Sequence, residues 1–200
     1  MTLPAQWVLA TSNRGKVAEL AALLAEAALP IEIRAQGELG VATPVETGAT
    51  FVENALLKAR HAARATGMPA IADDSGLCVA ALGGAPGVHS ARFAGAEADD
   101  NANVAKLLAA LAGHSDRSAR FHCVLVALER PDDPAPIIAA GFWSGTISQA
   151  PAGSGGFGYD PVFFDAALGS TAAQMPAATK NRVSHRGRAL RALVEVLKNR

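Results

Sequence analysis

The stretch LATSNRGKVAEL, residues 9–20, joins two different kinds of secondary structure. The apolar residues that lead into it from Trp7 predict a short buried strand. From Lys16 onward, apolar residues recur every three or four positions, which is the spacing of an amphipathic helix. A strand that passes directly into a helix is typical of α/β proteins, so this stretch predicts that fold class.

The polar residues between this strand and helix have the composition of an anion site, although the spacing is not that of a Walker loop. The N–H groups of a first helical turn point past the end of the preceding strand. Ser12 and Asn13 add side-chain donors, Gly15 lets the backbone approach a ligand closely, and Lys16 adds positive charge. The loop therefore predicts a phosphate site. The alternative is an ordinary helix cap beside an exposed lysine.

The rest of the chain mixes strands and helices without strict alternation. Thr50 and Glu53 have the spacing of a capping box, and the helix they begin is expected to end at Gly67. A further helix is predicted after Asp99 or Asp100, and another at the C-terminus. Strands are predicted at 29–36, at 70–79 with a break at the paired acids 73–74, at 120–129, at 137–147 and near residue 163. The 200 residues suit one α/β domain, residues 1–200, with a mixed sheet.

Composition excludes several classes of protein. Hydrophobic residues make up 50% of the chain and charged residues 18%, as in globular proteins. The formal net charge is +0, so the chain has no general attraction to nucleic acid or to an anionic membrane. We expect a cytoplasmic protein, because residues 1–10 lack the charged and apolar regions of a signal peptide and no apolar run is long enough to span a membrane. Cys78 and Cys123 lie in apolar runs and are expected to be core residues.

The charges are unevenly distributed. Residues 180–200 contain seven Lys or Arg residues and one acid, a net +6, so the remainder of the chain is −6. The segment KNRVSHRGR, residues 180–188, places His185 and Arg186 in the first turn of the C-terminal helix if Ser184 is its N-cap. Cations there oppose the helix dipole, which is more easily explained if an anion binds nearby. A solvated basic face or a nucleic-acid patch is the alternative.

Two adjacent carboxylates, Asp73 and Asp74, follow the apolar residues AIA at 70–72. Buried carboxylates are costly unless a cation compensates them. Mg²⁺ typically binds through one or two carboxylates together with substrate phosphate, and Glu46 is positioned to supply another carboxylate. This pattern predicts a Mg²⁺ site; an Asx-type turn at the end of the strand is the alternative.

The segment GSGGFGYDP, residues 153–161, places four glycines around Phe157. Glycines expose backbone to a flat ligand, and Phe157 is then available to stack on a base. A hairpin loop with an anchoring aromatic residue is the alternative.

Taken together, these segments resemble the inosine/xanthosine triphosphate pyrophosphatases, the dITP/XTP or non-standard purine NTP pyrophosphatase family. The matching stretches occur in order along nearly the whole chain: LATSNRGKVAEL, ETGATFVENALLKARHAA, AIADDSGLCVAALGGAPGVHSARFAG, RFHCVLVAL, PAGSGGFGYDPVFF and SHRGRAL. The chain departs from the family pattern before Lys180, where PAAT stands in place of acidic residues.

The resemblance implies an elongated mixed sheet with flanking helices and two lobes around a central cleft. It implies a Mg²⁺-dependent homodimer that hydrolyses ITP, dITP, XTP and dXTP to the monophosphate and pyrophosphate. It implies Asp74 as the proton acceptor and Glu46 with Asp74 as metal ligands. The implied substrate-binding residues are Thr11, Ser12, Asn13, Arg14, Gly15, Lys16, Ser75, Phe157, Gly158, Tyr159, Asp160, Lys180, His185 and Arg186.

Two other functions compete with this one. A pyrophosphatase of the Maf-like type, which shares the general architecture, would act on other modified or pyrimidine nucleotides; the combination of SHR with FGYD argues against it. A non-catalytic nucleotide- or RNA-binding module would use the basic tail, but it has no need for Glu46, Asp73 and Asp74 at one site.

Overall fold

The computed structural model describes residues 3–200. Within that range the strands are β1 (Gln6–Leu9), β2 (Glu32–Ala35), β3 (Ala70–Val79), β4 (Ser118–Leu128), β5 (Ile137–Ile147), β6 (Phe163–Asp165) and β7 (Ser170–Thr171). The α-helices are α1 (Arg14–Glu26), α2 (Phe51–Thr66), α3 (Asp100–Ala110), α4 (Ala177–Val183) and α5 (His185–Lys198). None of the helices in the described range is both long and apolar enough to cross a membrane.

The strands form one mixed sheet in the order β2-β1-β3-β4-β5-β6-β7. β1 is parallel to both of its neighbours, with Leu9 opposite Ala35 of β2 and Ile71 of β3. β6 is antiparallel to both β5 and β7. The predicted α/β class with a mixed sheet and flanking helices is therefore confirmed.

The chain divides into two compact units, and three of the strands contribute to both. The first unit consists of the residues up to 74, 123–141 and 188–200. One of its cores packs Trp7, Leu9 and Leu20 against the C-terminal helix, and another packs the alanines of α2 against Val8 and Val126.

The second unit consists of residues 75–122 and 142–187. Its core is richer in aromatic residues, and Phe121, Trp143 and Phe163 contact one another there. The Trp143 indole Nε1 donates to Asp165 Oδ2 at 2.7 Å, so this indole is buried without losing its hydrogen bond.

Local sequence signals explain the helix boundaries. The Thr50 hydroxyl accepts from the Glu53 N–H, while the Glu53 carboxylate accepts from the Thr50 N–H, which is the predicted capping box. Gly67 ends the same helix with φ 67°, a left-handed conformation that glycine adopts without steric cost. Asp99 caps α3, as predicted.

Several details differ from the sequence-based prediction, among them the unpredicted two-residue strand β7. α1 begins at Arg14 instead of Lys16, because Asn13 supplies its N-cap. β3 continues through Asp73 and Asp74 instead of breaking there, because both carboxylates have lysine partners. Residues 177–183 form a separate helix, α4, that was not predicted.

Candidate functional site

The paired acids of β3 each contact a lysine from a different helix of the first unit. Asp73 is buried, and its Oδ2 lies 2.8 Å from Nζ of Lys16, in the first turns of α1. The Lys16 side chain is still 30% exposed. Its ammonium therefore offsets the buried Asp73 charge while part of the side chain stays accessible to an anion from solvent.

Asp74 forms the second ion pair, with Lys58 of α2. Lys58 Nζ lies 2.9 Å from Asp74 Oδ1 and 2.7 Å from Glu46 Oε1, so one ammonium joins two carboxylates. Asn54, one helical turn before Lys58, donates to Asp74 Oδ2 at 3.4 Å. Two residues on the buried face of α2 thus orient one carboxylate at the middle of β3.

Burial and charge act in opposite directions on this pair. Burial raises the pKa of Asp74, and the adjacent Lys58 charge offsets that rise only in part. For Lys58, burial lowers the pKa, but Asp74 and Glu46 outweigh it, so the net shift is upward. Lys58 is therefore an ammonium at neutral pH beside a carboxylate that accepts a proton more readily than an ordinary aspartate.

The predicted phosphate loop is a capped helix start. Asn13 Oδ1 accepts from the N–H groups of Gly15 and Lys16, at 2.9 and 3.3 Å, and the Thr11 hydroxyl accepts from the Asn13 N–H. The side chain of Asn13 thus acts as an acceptor from the helix instead of a donor. Ser12 and Arg14 are exposed at the same helix start, and Lys16 carries the charge.

The residues predicted to bind a metal fit a hard cation. Glu46 and Asp74 direct one carboxylate oxygen each at the same cationic atom, Lys58 Nζ. Among residues 3–200, no three His, Cys, Asp or Glu side chains form a complete metal site. Two carboxylate oxygens that face one cation are hard donors of the kind that Mg²⁺ takes from protein.

In the second unit, the glycine loop presents Phe157 on the surface. Its side chain is 72% exposed, and Lys180 Nζ lies 4.7 Å from the centre of its ring. Asp160 Oδ2 accepts from the Phe157 N–H at 2.8 Å and also contacts Lys180 Nζ. Asp160 therefore supplies the acidic support that the residues before Lys180 lack, and it positions both the ring and the ammonium.

Two further hydrogen bonds anchor the same loop. The Tyr159 hydroxyl donates to the Ser90 carbonyl at 2.8 Å inside the core, and burial raises the pKa of this phenol. The Gly158 N–H donates to Asp100 Oδ2 at 2.6 Å. Of these predicted binding residues, Tyr159 thus has its polar atom directed into the protein, while Phe157 faces outward.

The basic segment before α5 is partly packed. The Ser184 hydroxyl accepts from the Gly187 N–H at 3.1 Å, as expected of an N-cap. The His185 ring stacks on Phe121 with centroids 4.6 Å apart and planes 11° apart. His185 and Arg186 are half-buried, so their orientation is fixed by the fold. Ser75, which follows Asp74 along β3, is exposed.

Sequence reasoning missed Lys58, Asn54 and Asp100. A signal for the first two was available: Asn54 and Lys58 lie four residues apart within the alanine stripe of α2, where polar residues would be buried. Nothing local distinguished Asp100 from its neighbour Asp99, which caps α3.

Comparison with known proteins shows extended similarity. The family model described as "Ham1 family" matches residues 7–196. Curated relatives include proteins named dITP/XTP pyrophosphatase from Pectobacterium atrosepticum, 59% identical over 96% of this chain and 98% of that protein, and from Xanthomonas campestris pv. campestris, 60% identical over 93% and 94%.

Solved structures give the same result. A HAM1 protein from Coxiella burnetii is 50% identical, with a TM-score of 0.95 over 98% of this chain and 100% of that one. The Staphylococcus aureus Ham1 protein is 37% identical, with a TM-score of 0.89 over 97% and 98%. Since the family model spans almost all of the sequence and the relatives match over nearly their full length, the chain belongs to the Ham1 family.

Proposed function

We propose that this protein hydrolyses deaminated purine nucleoside triphosphates, ITP, dITP, XTP and dXTP, to the monophosphate and pyrophosphate, and so removes them from the nucleotide pool. The observation that carries the proposal is the cluster of the first unit, where Lys16 and Lys58 contact the paired acids of β3. Its relatives' names, dITP/XTP pyrophosphatase, support the choice of substrate.

In this proposal Lys16 binds the triphosphate. Lys16 lies at the start of α1 with its ammonium partly accessible, and Ser12 and Arg14 are exposed beside it. Positive groups placed where charge accumulates on the transferred phosphates are usually the largest contribution to phosphoryl-transfer catalysis. The other predicted residues of this loop, Thr11, Asn13 and Gly15, shape and cap the helix start.

Asp74 is the general base. Water attacks the α-phosphorus, Asp74 takes a proton from that water, and pyrophosphate leaves. A carboxylate whose pKa is raised by burial is a stronger base, and its hydrogen bonds from Lys58 and Asn54 hold it in one orientation. Asp73 stays paired with Lys16 and maintains the charge balance.

Glu46 and Asp74 are the residues that would hold Mg²⁺. When bound, the ion neutralises phosphate charge and lowers the pKa of coordinated water. Lys58 lies between these carboxylates, so it would have to move aside or share them with the ion.

The second unit supplies recognition of the base. Phe157 is exposed and available for stacking, while Asp160 and Lys180 fix the position of its loop. ITP and XTP carry a keto oxygen at purine position 6, where ATP carries an amino group. We assign the donors for this oxygen to His185 and Arg186, because the Phe157 and Gly158 N–H groups of the glycine loop already donate to Asp160 and Asp100. A site built of donors rejects an amino group by about 10⁴-fold or more, because its buried groups are left unpaired.

The decisive experiment is a pyrophosphate-release assay with ITP, XTP, dITP, ATP, GTP and UTP, with and without Mg²⁺. We expect strong Mg²⁺-dependent turnover of ITP, XTP and dITP. A kcat/KM for ATP within tenfold of that for ITP would contradict the assignment of the base site. Preference for UTP would favour the Maf-like alternative, and binding without turnover would favour the non-catalytic one.

Phe157→Ala tests stacking in the same assay. Loss of one aromatic stack costs about 1–3 kcal/mol per base, so KM for ITP should rise about 5- to 150-fold. Phe157→Trp, which keeps a stacking ring, is the matched control and should retain most of the affinity. Equal KM values for Phe157→Ala and the unmodified protein would place the base elsewhere.

The proposal also covers the oligomeric state of the protein and its location in the cell. We propose a homodimer, as the family resemblance implies, in the cytoplasm, where the free nucleotide pool is available, and without nucleic-acid or membrane partners. Light scattering at micromolar concentration tests the dimer: a mass near 20.4 kDa, that of one chain, would contradict it.

A further inference from the structure

A pocket with several polar side chains in its lining lies on one face of the sheet in the second unit, and none of the residues assigned above lines it. It has a volume of about 330 Å³. Side chains alternate between the two faces of a strand, so while Ala119 and Phe121 of β4 pack into the core, Arg120 and His122 point to the opposite face. Cys78 of β3 and Ser144 of β5 complete the polar lining.

The charge in this pocket comes from Arg120. Within residues 3–200, its guanidinium makes one hydrogen bond, from Nε to Ser144 Oγ at 3.2 Å, and no ion pair. None of the residues lining the pocket is acidic. The Asp116 carboxylate accepts from both the N–H and the hydroxyl of Ser118, which lines the pocket, but it is not itself part of the lining. The two terminal nitrogens of Arg120 therefore keep their donors for a ligand.

The Arg120 charge affects the pKa values of two neighbouring groups, His122 and Cys78. Burial lowers the pKa of His122, and the Arg120 charge lowers it further. Burial raises the pKa of the Cys78 thiol, which the Arg120 charge partly opposes. The pocket thus combines a permanent cation with a neutral imidazole and an uncharged thiol at neutral pH. The His122 ring packs edge-on against Phe142, which fixes its plane.

We propose that this pocket binds a small oxyanion, held by the terminal nitrogens of Arg120 beside His122. A guanidinium fork matches two oxygens of a phosphate or carboxylate at once. Arg120 is exposed, so a small ion can reach its guanidinium directly from solvent. Inorganic phosphate, pyrophosphate and acetate are the probes that distinguish a phosphate site from a general oxyanion site.

Cys78 provides a readout confined to the pocket. Of the two cysteines in the chain, Cys78 is half-buried in the pocket lining and Cys123 is fully buried in a core, so maleimide should label Cys78 selectively. In metal-free buffer, an oxyanion at ten times its Kd occupies about nine tenths of the sites and should slow the labelling of Cys78 about tenfold.

Two arginine variants make the test specific. Arg120→Gln should abolish the protection, whereas Arg130→Gln, which removes the same charge at an exposed position paired with Asp132, should retain it. Lys16→Ala should also retain it, which separates this pocket from the triphosphate site. Protection by phosphate and pyrophosphate but not by acetate would identify a phosphate site; protection by acetate as well would identify a general oxyanion site.

NMR titration of His122 gives an independent measurement. Arg120→Gln should raise the pKa of His122 in the absence of ligand, because the charge that lowers it together with burial is gone. In the unmodified protein, a bound oxyanion should raise the same pKa. The proposal is wrong if none of the three probes slows labelling, if the Arg120→Gln protein is protected as well as the unmodified one, or if Cys78 is unreactive without any probe because protein covers the pocket.

Discussion

The ammonium of Lys58 lies 2.9 Å from one carboxylate oxygen of Asp74, in a part of the first unit where both side chains are almost fully buried. Glu46 shares the same ammonium. A lysine joined to two carboxylates offsets the cost of burying them and leaves a base with a raised pKa in a fixed orientation. Removal of either partner leaves a buried charge without its main compensation. Substitution of Lys58 or Asp74 should therefore lower the stability of the fold as well as the activity.

Replacement of Asp74 tests its role as the general base. Asp74→Asn keeps the size of the side chain but removes the proton acceptor, so turnover should fall about 10²- to 10⁴-fold with Mg²⁺ saturating. Asp132→Asn, at an exposed position of the β4–β5 connection, is the control and should leave turnover unchanged. Near-normal turnover of a folded Asp74→Asn protein would exclude the assigned role.

The pH profile tests the influence of Lys58 on Asp74. A base works only when it is deprotonated, so kcat/KM should fall as the pH drops through the pKa of Asp74, which lies above the ordinary value of 3.8. The Lys58 charge lowers that pKa, so Lys58→Met should move the acid limb of the profile to higher pH as well as reducing activity. Lys16→Ala is the comparison, because Lys16 contacts Asp73 instead. An acid limb at the same pH in the Lys58→Met protein would show that another group controls it.

Lys16 is expected to act on the β- and γ-phosphates. Lys16→Ala removes a charge from the proposed triphosphate site, so binding of a nucleoside triphosphate should weaken more than binding of the monophosphate, which lacks those groups. Calorimetric titration with a non-hydrolysable ITP analogue and with IMP measures both affinities. Lys198→Ala, on the exposed end of α5, is the control. Equal losses for the two ligands would place Lys16 away from the distal phosphates.

Tyr159 is expected to act on stability more than on affinity. Its hydroxyl donates to the buried Ser90 carbonyl, and Tyr159→Phe leaves that carbonyl unsatisfied at a cost of about 1–3 kcal/mol. The thermal midpoint should therefore fall by several degrees, since about 1 kcal/mol corresponds to roughly 2–4 °C in a domain of this size. KM for ITP should change less than in Phe157→Ala. A large rise in KM with an unchanged midpoint would show that the hydroxyl contacts substrate instead.

Much of the fold was predictable because its signals are local. The capping box of Thr50 and Glu53, the glycine that ends α2 and the limits of β5 all depend on residues within a few positions of one another. The unpredicted helix α4 is short and has no side-chain cap, so its sequence carried little local signal.

Hydrophobic spacing and capping residues act over a single turn or strand, so the α/β class and the order of most elements follow from the sequence, which also nominates the segments proposed to carry chemistry. The tertiary structure alone decided how those segments are paired. Lys16 contacts an acid 57 positions away, and Lys58 contacts carboxylates 12 and 16 positions away in opposite directions along the chain. Such contacts depend on how α1 and α2 pack on β3, and burial then sets the protonation of the groups that meet there.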